Sequence, residues 1–280
     1  MKRILVPTDF SDYALNAAKV AAEIAKKHNA RIFFLHVVGI PQTESGIMPG
    51  QSGQDIGEGL FILKMIKKKF RELFQQDFLQ GIQVAEAVQF SNVYEHIADL
   101  SKKHEIDLIV MGTHGSSGFI NDYLIGSNTD KVVRLSEVPV LTVRDYVPST
   151  DFKKIVFASD FQQGIMDSFY QIKPILDTFD AEIALLRVVT RDDFYFTDPL
   201  LEIMENFAKD NGLTKYSCHV VNAENVQEGI NEFAARKEAD LVTTITHGRR
   251  GLARLFNGSV TSDVVKSSPL PILTVKAAKK

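Results

Sequence analysis

The chain has 280 residues, with 32 Lys and Arg against 35 Asp and Glu, and so a formal charge of −3. That near balance gives no general attraction for a polyanion, and no nucleic-acid partner is expected. With 45% hydrophobic and 24% charged residues the composition is globular rather than disordered or fibrous, and the length suits about two domains.

The first apolar run, residues 4–7, is short and nearly continuous, as a strand buried on both faces requires, and Asp9 stops it. Ser11 is placed to cap a helix over residues 11–28, along which Ala14, Ala17, Ala18, Ala21, Ala22 and Ala25 share one face. A second strand is read at residues 32–38. Residues 39–59 scatter six glycines around Pro41 and Pro49 and predict a mobile loop. Val93, Ile97 and Leu100 then repeat at helical spacing, and residues 108–111 read as another buried strand. It leads into Gly112-Thr113-His114-Gly115-Ser116-Ser117-Gly118, and later Gly126-Ser127-Asn128-Thr129-Asp130 opens a helical pattern. A closing strand occupies residues 138–143, and the polar, Pro-interrupted residues 145–151 mark a boundary.

Beyond that boundary the chain is written a second time. Residues 2–10 return 151 positions on as residues 153–161, and residues 30–38 return as 181–189. Later in the copy the offset falls to 133, with residues 105–110 matching 238–243, and at the closing strand it is 132, with 138–143 matching 270–275. The first copy is therefore longer around its glycine-rich loop and has gained one further residue late. Strands alternating with helices imply an α/β fold: two tandem Rossmann-like or flavodoxin-like domains, at 1–146 and 152–280, each a mostly parallel five-stranded sheet with helices on both faces.

Ligands of such sheets bind beyond the carboxyl ends of the strands, which confines the search for chemistry. Asp9, repeated as Asp160, is placed either to accept hydrogen bonds from a ligand hydroxyl or to cap its own turn. Glycines 112, 115 and 118 let backbone amides wrap an anion, and Gly126-Ser127 would meet phosphate at the positive end of a helix. Ser127 reads equally as a capping-box partner of Asp130. His114 recurs as His247, but neither copy sets a nucleophile beside a base in sequence, so no catalytic residue is assigned. The seven His are scattered without metal-ligand spacing. The P-loop and the G-x-G-x-x-G fingerprint are both missing. Cys218, the single cysteine, is read as a small structural residue suited to a reducing compartment. No stretch reaches the roughly 18 apolar residues that would span a bilayer; a cytoplasmic address and no membrane partner are expected.

In their order these motifs resemble the universal stress proteins in their tandem form: the Val6-Pro7-Thr8-Asp9 opening, the strand ending His36-Val37-Val38, the Met111-Gly112-Thr113-His114-Gly115 turn, the Gly126-Ser127 helix start and the Pro139-Val140-Leu141-Thr142-Val143 close. The resemblance covers essentially the whole chain. It implies an adenine-nucleotide (ATP) binding stress-response regulator or sensor, with Mg²⁺ arriving on the nucleotide. The alternatives are a slow ATPase or autophosphorylating protein, with Ser116, Ser127 or Thr129 as acceptor, and a nucleotide-independent interaction module. In the first copy the resemblance places Pro7, Thr8, Asp9, Val37, Met111, Gly112, His114, Gly115, Gly126, Ser127, Asn128 and Thr129 around the nucleotide. The second-copy candidates are Ser159, Asp160, Val188, His247, Gly248, Gly258, Ser259, Val260 and Thr261. ATP-binding members carry G-x2-G-x9-G-[ST]; the first copy has a ten-residue spacer, residues 116–125, and the second has Ile245 in place of the first glycine. The extra residue is expected to be absorbed by the loop, and Ile245 to crowd the phosphates, so the first copy is the expected site. The resemblance also implies that the two closing strands pair into an intrachain pseudo-dimer, with homodimerisation of whole chains beyond it.

Overall fold

The apolar runs form strands where the sequence places them. The computed structural model describes residues 1–39, 53–90, 92–114, 126–145, 147, 150–162, 165–191, 197–246 and 260–277, the side chains of 53–58, 197–198 and 260 excepted. The first half runs β1 (Arg3–Pro7), α1 (Asp12–His28), β2 (Arg31–Val38), α2 (Gly53–Phe74), β3 (Val84–Phe90), α3 (Val93–Lys103), β4 (Leu108–Gly112), α4 (Ser127–Leu135), β5 (Val140–Val143). The second half repeats the order: β6 (Lys154–Ala158), α5 (Ile165–Leu176), β7 (Glu182–Val189), α6 (Thr197–Asp210), β8 (Tyr216–Asn222), α7 (Val226–Arg236), β9 (Leu241–Thr246), α8 (Val260–Ser267), β10 (Ile272–Lys276).

Helix α1 follows the sequence reading closely: the Ser11 hydroxyl accepts from the Ala14 amide, the six face alanines are buried, and Asn29 ends the helix in the left-handed region. The loop expected over residues 39–59 is shorter than read, because α2 begins at Gly53; residues 40–52 lie outside the described residues. Glycine is a poor helix former, but Gly53, Gly57 and Gly59 are carried by a 22-residue helix anchored further on by Ile66, Phe70 and Leu73. Residues 145–151 are not a bare linker. Thr150 is buried, its amide and hydroxyl donate to Glu23 at 3.0 and 2.9 Å, and Lys27 donates to its carbonyl.

The strands join in one ten-stranded sheet, ordered β3-β2-β1-β4-β5-β10-β9-β6-β7-β8. All pairings within each half are parallel, and the two halves meet at the antiparallel pair β5–β10. Along β1, Ile4 and Val6 enter one core with α1, α2, α5 and α6, while Leu5 enters the opposite core with α3, α4, α7 and α8. The seam is reciprocal. Thr142 Oγ1 donates to the Ile272 carbonyl at 3.3 Å and Thr274 Oγ1 to the Val140 carbonyl at 3.2 Å, about a centre at the facing pair Leu141 and Leu273. Because that pair is antiparallel, the carboxyl edges of the two halves point in opposite directions.

Cys218 lies partly buried on β8, and its surroundings push the thiol up to about 11, chiefly by burial and further by the charge of Glu205. Native protein at neutral pH should react with iodoacetamide at least tenfold more slowly than urea-unfolded protein, with the rate climbing above pH 9; equal rates would contradict this placement. At the seam, Thr142→Val and Thr274→Val should each lower stability by about 1 kcal/mol in urea denaturation. The two losses should match, because the bonds are related by the pseudo-twofold.

Candidate functional site

In the first half, strand β1 connects onward to β2 on one side and is flanked by β4 on the other. The strand order therefore reverses between β1 and β4, and the crevice for a ligand opens beyond their carboxyl ends. Pro7 ends β1 and Gly112 ends β4, so the Thr8-Asp9 turn and the Thr113-His114 turn face each other across it.

The first wall is a tightly bonded turn. The Thr8 amide donates to the Leu35 carbonyl at 2.8 Å, the Thr8 hydroxyl accepts from the Phe10 amide at 3.0 Å, and Asp9 Oδ1 accepts from the Ser11 amide at 3.0 Å. The turn-capping role of Asp9 is thus real, and it fixes the carboxylate at the crevice. Phe10 pays for this geometry with φ 64°, a conformation unfavourable for a side chain with a Cβ. Its ring is held 4.9 Å from His36 and 5.1 Å from Phe70, and His36 Nδ1 lies 2.7 Å from the Thr8 carbonyl. Val37 is half-buried on β2, two residues past the Pro7–Leu35 register pair, and so stands at the same edge.

The second wall is built from β4 and α4. The Thr113 amide donates to the Val143 carbonyl at 3.1 Å, and the Gly126 amide to the Thr113 carbonyl at 2.8 Å. Thr129, buried, donates its hydroxyl to the Gly112 carbonyl at 3.0 Å. These bonds tie the start of α4 to the end of β4; the ten-residue spacer itself, residues 116–125, lies outside the described residues. The capping-box reading of Ser127 is corrected: Gly126 is the N-cap, Ser127 is the first helical residue, and Asp130 pairs with Arg134 at 3.2 Å. With no side chain of its own, Gly126 gives the first-turn amides of α4 no side-chain acceptor, and Ser127 and Asn128 are exposed. Met111 is buried beneath the site.

The structure also brings together what the sequence did not. Thr113 Oγ1 lies 2.8 Å from His114 Nδ1, a hydroxyl–imidazole pair where none was expected. Thr113 is buried, so the bond orients the imidazole, whose ring stacks obliquely on Tyr13 at 5.1 Å. His36, Phe10 and Tyr13 were not singled out as site residues; their roles follow from distant neighbours that a motif does not show. Gly115 and Ser116 lie outside the described residues, and among the described residues no three His, Cys, Asp or Glu side chains gather as a metal site.

In the second half the equivalent first wall is preserved. The Ser159 hydroxyl accepts from the Phe161 amide at 3.3 Å, Asp160 Oδ1 accepts from the Gln162 amide at 3.2 Å, and Phe161 has φ 54°. Val188 is buried on β7 against Gly229, and Thr261 is buried in α8. Val260 begins α8, whereas His247, Gly248, Gly258 and Ser259 lie outside the described residues. The side chain of Ile245 is buried in the core that it shares with Phe161, Ile165 and Val275. The matching Gly112 has no room there, since an added Cβ would lie 2.9 Å from the Tyr13 carbonyl carbon.

Comparison with known proteins places this geometry. The sequence profile of the Universal stress protein family matches residues 1–144 and again 151–276. A universal stress protein of Methanocaldococcus jannaschii is 34% identical over 152 residues, spanning 51% of this chain and 82% of that protein. A universal stress protein of Synechocystis is 23% identical across 99% of this chain and 100% of its own length. Among solved structures, a universal stress protein from Archaeoglobus fulgidus superposes with a TM-score of 0.72 at 21% identity, covering 99% of this chain and 97% of that one, a likeness of fold.

The two described glycines of the site should respond differently to a methyl group. Gly112→Ala forces α1 away from β4 and should cost about 1–3 kcal/mol. Gly126→Ala meets nothing nearer than 3.5 Å and should cost no more than about 1 kcal/mol. Urea denaturation of the two variants checks the ordering.

Proposed function

The chain belongs to the universal stress protein family, and from that premise we propose that it is a stress-response regulator whose first domain, residues 1–146, binds ATP. The observation that carries the reading is the convergence at the β1–β4 switch point. The Gly126–Thr113 bond draws the glycine-capped start of α4 to the end of β4, opposite the Thr8-Asp9 turn. Phosphate oxygens would accept from the first-turn amides of Ser127, Asn128 and Thr129, in the favourable field of the helix terminus. The glycine-rich sequence that follows β4 would add further backbone donors. A ribose hydroxyl would donate to the Asp9 carboxylate, and backbone around Val37 would meet the base edge. Mg²⁺ would arrive on the phosphates. No helix among the described residues is long and apolar enough to cross a membrane. The proposal puts the protein in the cytoplasm, a reducing compartment that suits its single cysteine. The second domain, residues 152–280, keeps the Asp160 turn but builds its β9 end around Ile245, which supports an altered or lost site there.

The Thr113–His114 pair supports a second reading, slow phosphoryl transfer from bound ATP, in which His114 would take the proton of an attacking hydroxyl. Calorimetric titration with ATP, AMP and a cyclic nucleotide separates the readings when followed by single-turnover assay with labelled ATP. One ATP per chain is expected, with Asp9→Ala weakening binding about tenfold, or ~1.4 kcal/mol, and no released phosphate or labelled protein. A stoichiometry of zero would leave the interaction-module alternative, and labelled protein would establish the second reading.

A further inference from the structure

Helix α2 carries a face that nucleotide binding does not use. Its inner side is buried at Ile66, Phe70 and Leu73. At about 100° per residue, the opposite pole of the helix runs through Phe61, Lys64 and Lys68, with Leu60 and Met65 on its two flanks, while Ile62 lies in line with the buried Ile66 at the end of the inner stripe. Phe61 is 65% exposed, Leu60 56%, Met65 45% and Ile62 39%, four of the seven large hydrophobic side chains exposed among the described residues. Such clustering on one helix is not the ordinary scatter of surface apolar groups. Over its 22 residues α2 also holds five cations, Lys64, Lys67, Lys68, Lys69 and Arg71, against Asp55, Glu58 and Glu72, and the five cations all fall within residues 64–71. Lys68 lies 3.8 Å from Glu72; among the described residues Lys64, Lys67 and Arg71 have no carboxylate within salt-bridge distance.

The fold does not demand this face. Its counterpart α6 has 14 residues against 22, carries Asp198, Glu202, Glu205 and Asp210 against Lys209, and among the described side chains exposes one large hydrophobic, Ile203. We propose that the outer face of α2 docks on an anionic lipid surface. Exposed Phe and Leu suit the boundary between headgroups and acyl chains, and lysines beside them extend to lipid phosphates while their stems lie along the apolar layer. The face is the convex side of a single helix, which a fluid interface conforms to and a folded partner would have to match with a groove. Docking of this kind needs no spanning segment and is compatible with the absence of a membrane-crossing helix among the described residues.

Full-length protein sedimented with phosphatidylglycerol-containing vesicles, against pure phosphatidylcholine vesicles, tests the proposal. Binding to the anionic vesicles alone is expected, falling as salt rises. Lys64→Glu with Lys68→Glu should weaken it on the order of a hundredfold, and Phe61→Ser with Met65→Ser at least about tenfold. All four positions are exposed, and unchanged urea denaturation would confirm that the variants fold. Lack of preference for the anionic vesicles, or variants that bind like the parent, would overturn the proposal. So would light scattering without vesicles that showed chains associating through this face in a manner the same substitutions abolish.

Discussion

The pairing of β5 with β10 is the constraint on which the rest of the molecule depends. Each half ends its sheet on a short strand whose inward residues are wholly buried, and an unpaired edge there would leave backbone amides and carbonyls without partners. Antiparallel pairing satisfies both strands at once, and the buried Thr142 and Thr274 add a hydroxyl bond each to the facing carbonyl. Outside the ladder the halves exchange cations. Lys276 Nζ reaches the Leu135 carbonyl at the end of α4, and Arg144 reaches the Lys266 carbonyl near the end of α8, each placing positive charge at the negative end of the other half's helix. The site rests on this arrangement too, because the Thr113 amide is held by the Val143 carbonyl of β5. A loosened seam would loosen the turn that carries His114.

The elements governed by simple burial were legible in the sequence. Strands buried on both faces read as apolar runs, and an alanine face with a serine before it reads as a capped helix; both stand where they were placed. Less legible were β3, at the sheet's edge, whose half-exposed Val-Ala-Glu-Ala-Val-Gln-Phe lacks a continuous apolar signature, and α2, whose glycines mimic a loop. Thr150 illustrates a different limit. A Pro-flanked polar segment reads as solvent-exposed until its partners, Glu23 and Lys27 more than 120 positions away, are brought beside it. At the candidate site, glycines and the Asp-bearing turn announced themselves, whereas Phe10, Tyr13 and His36 serve through contacts that only the folded chain creates.

The two strand ends differ in their packing. In the first half the backbone of Tyr13 lies so close to Gly112 that a Cβ there would meet its carbonyl carbon at 2.9 Å, while in the second Ile245 occupies the matching strand position and buries its side chain in the core with Phe161 and Val275. A close approach of helix start to strand end, which only glycine permits, is thus a feature of the first half's strand β4, and the matching position of β9 contributes to the core instead.

The two-fold seam makes this chain a dimer whose subunits are joined by peptide bonds. In an assembly of identical subunits, one codon sets both copies of a position, and a change that abolishes one crevice abolishes the other. Here each crevice has its own codons, and the seam holds the halves together at a concentration that dilution cannot lower. One half is free to drift toward a purely architectural task while the other keeps its turns, and the opposed carboxyl edges present the results of those separate histories on opposite sides of the molecule.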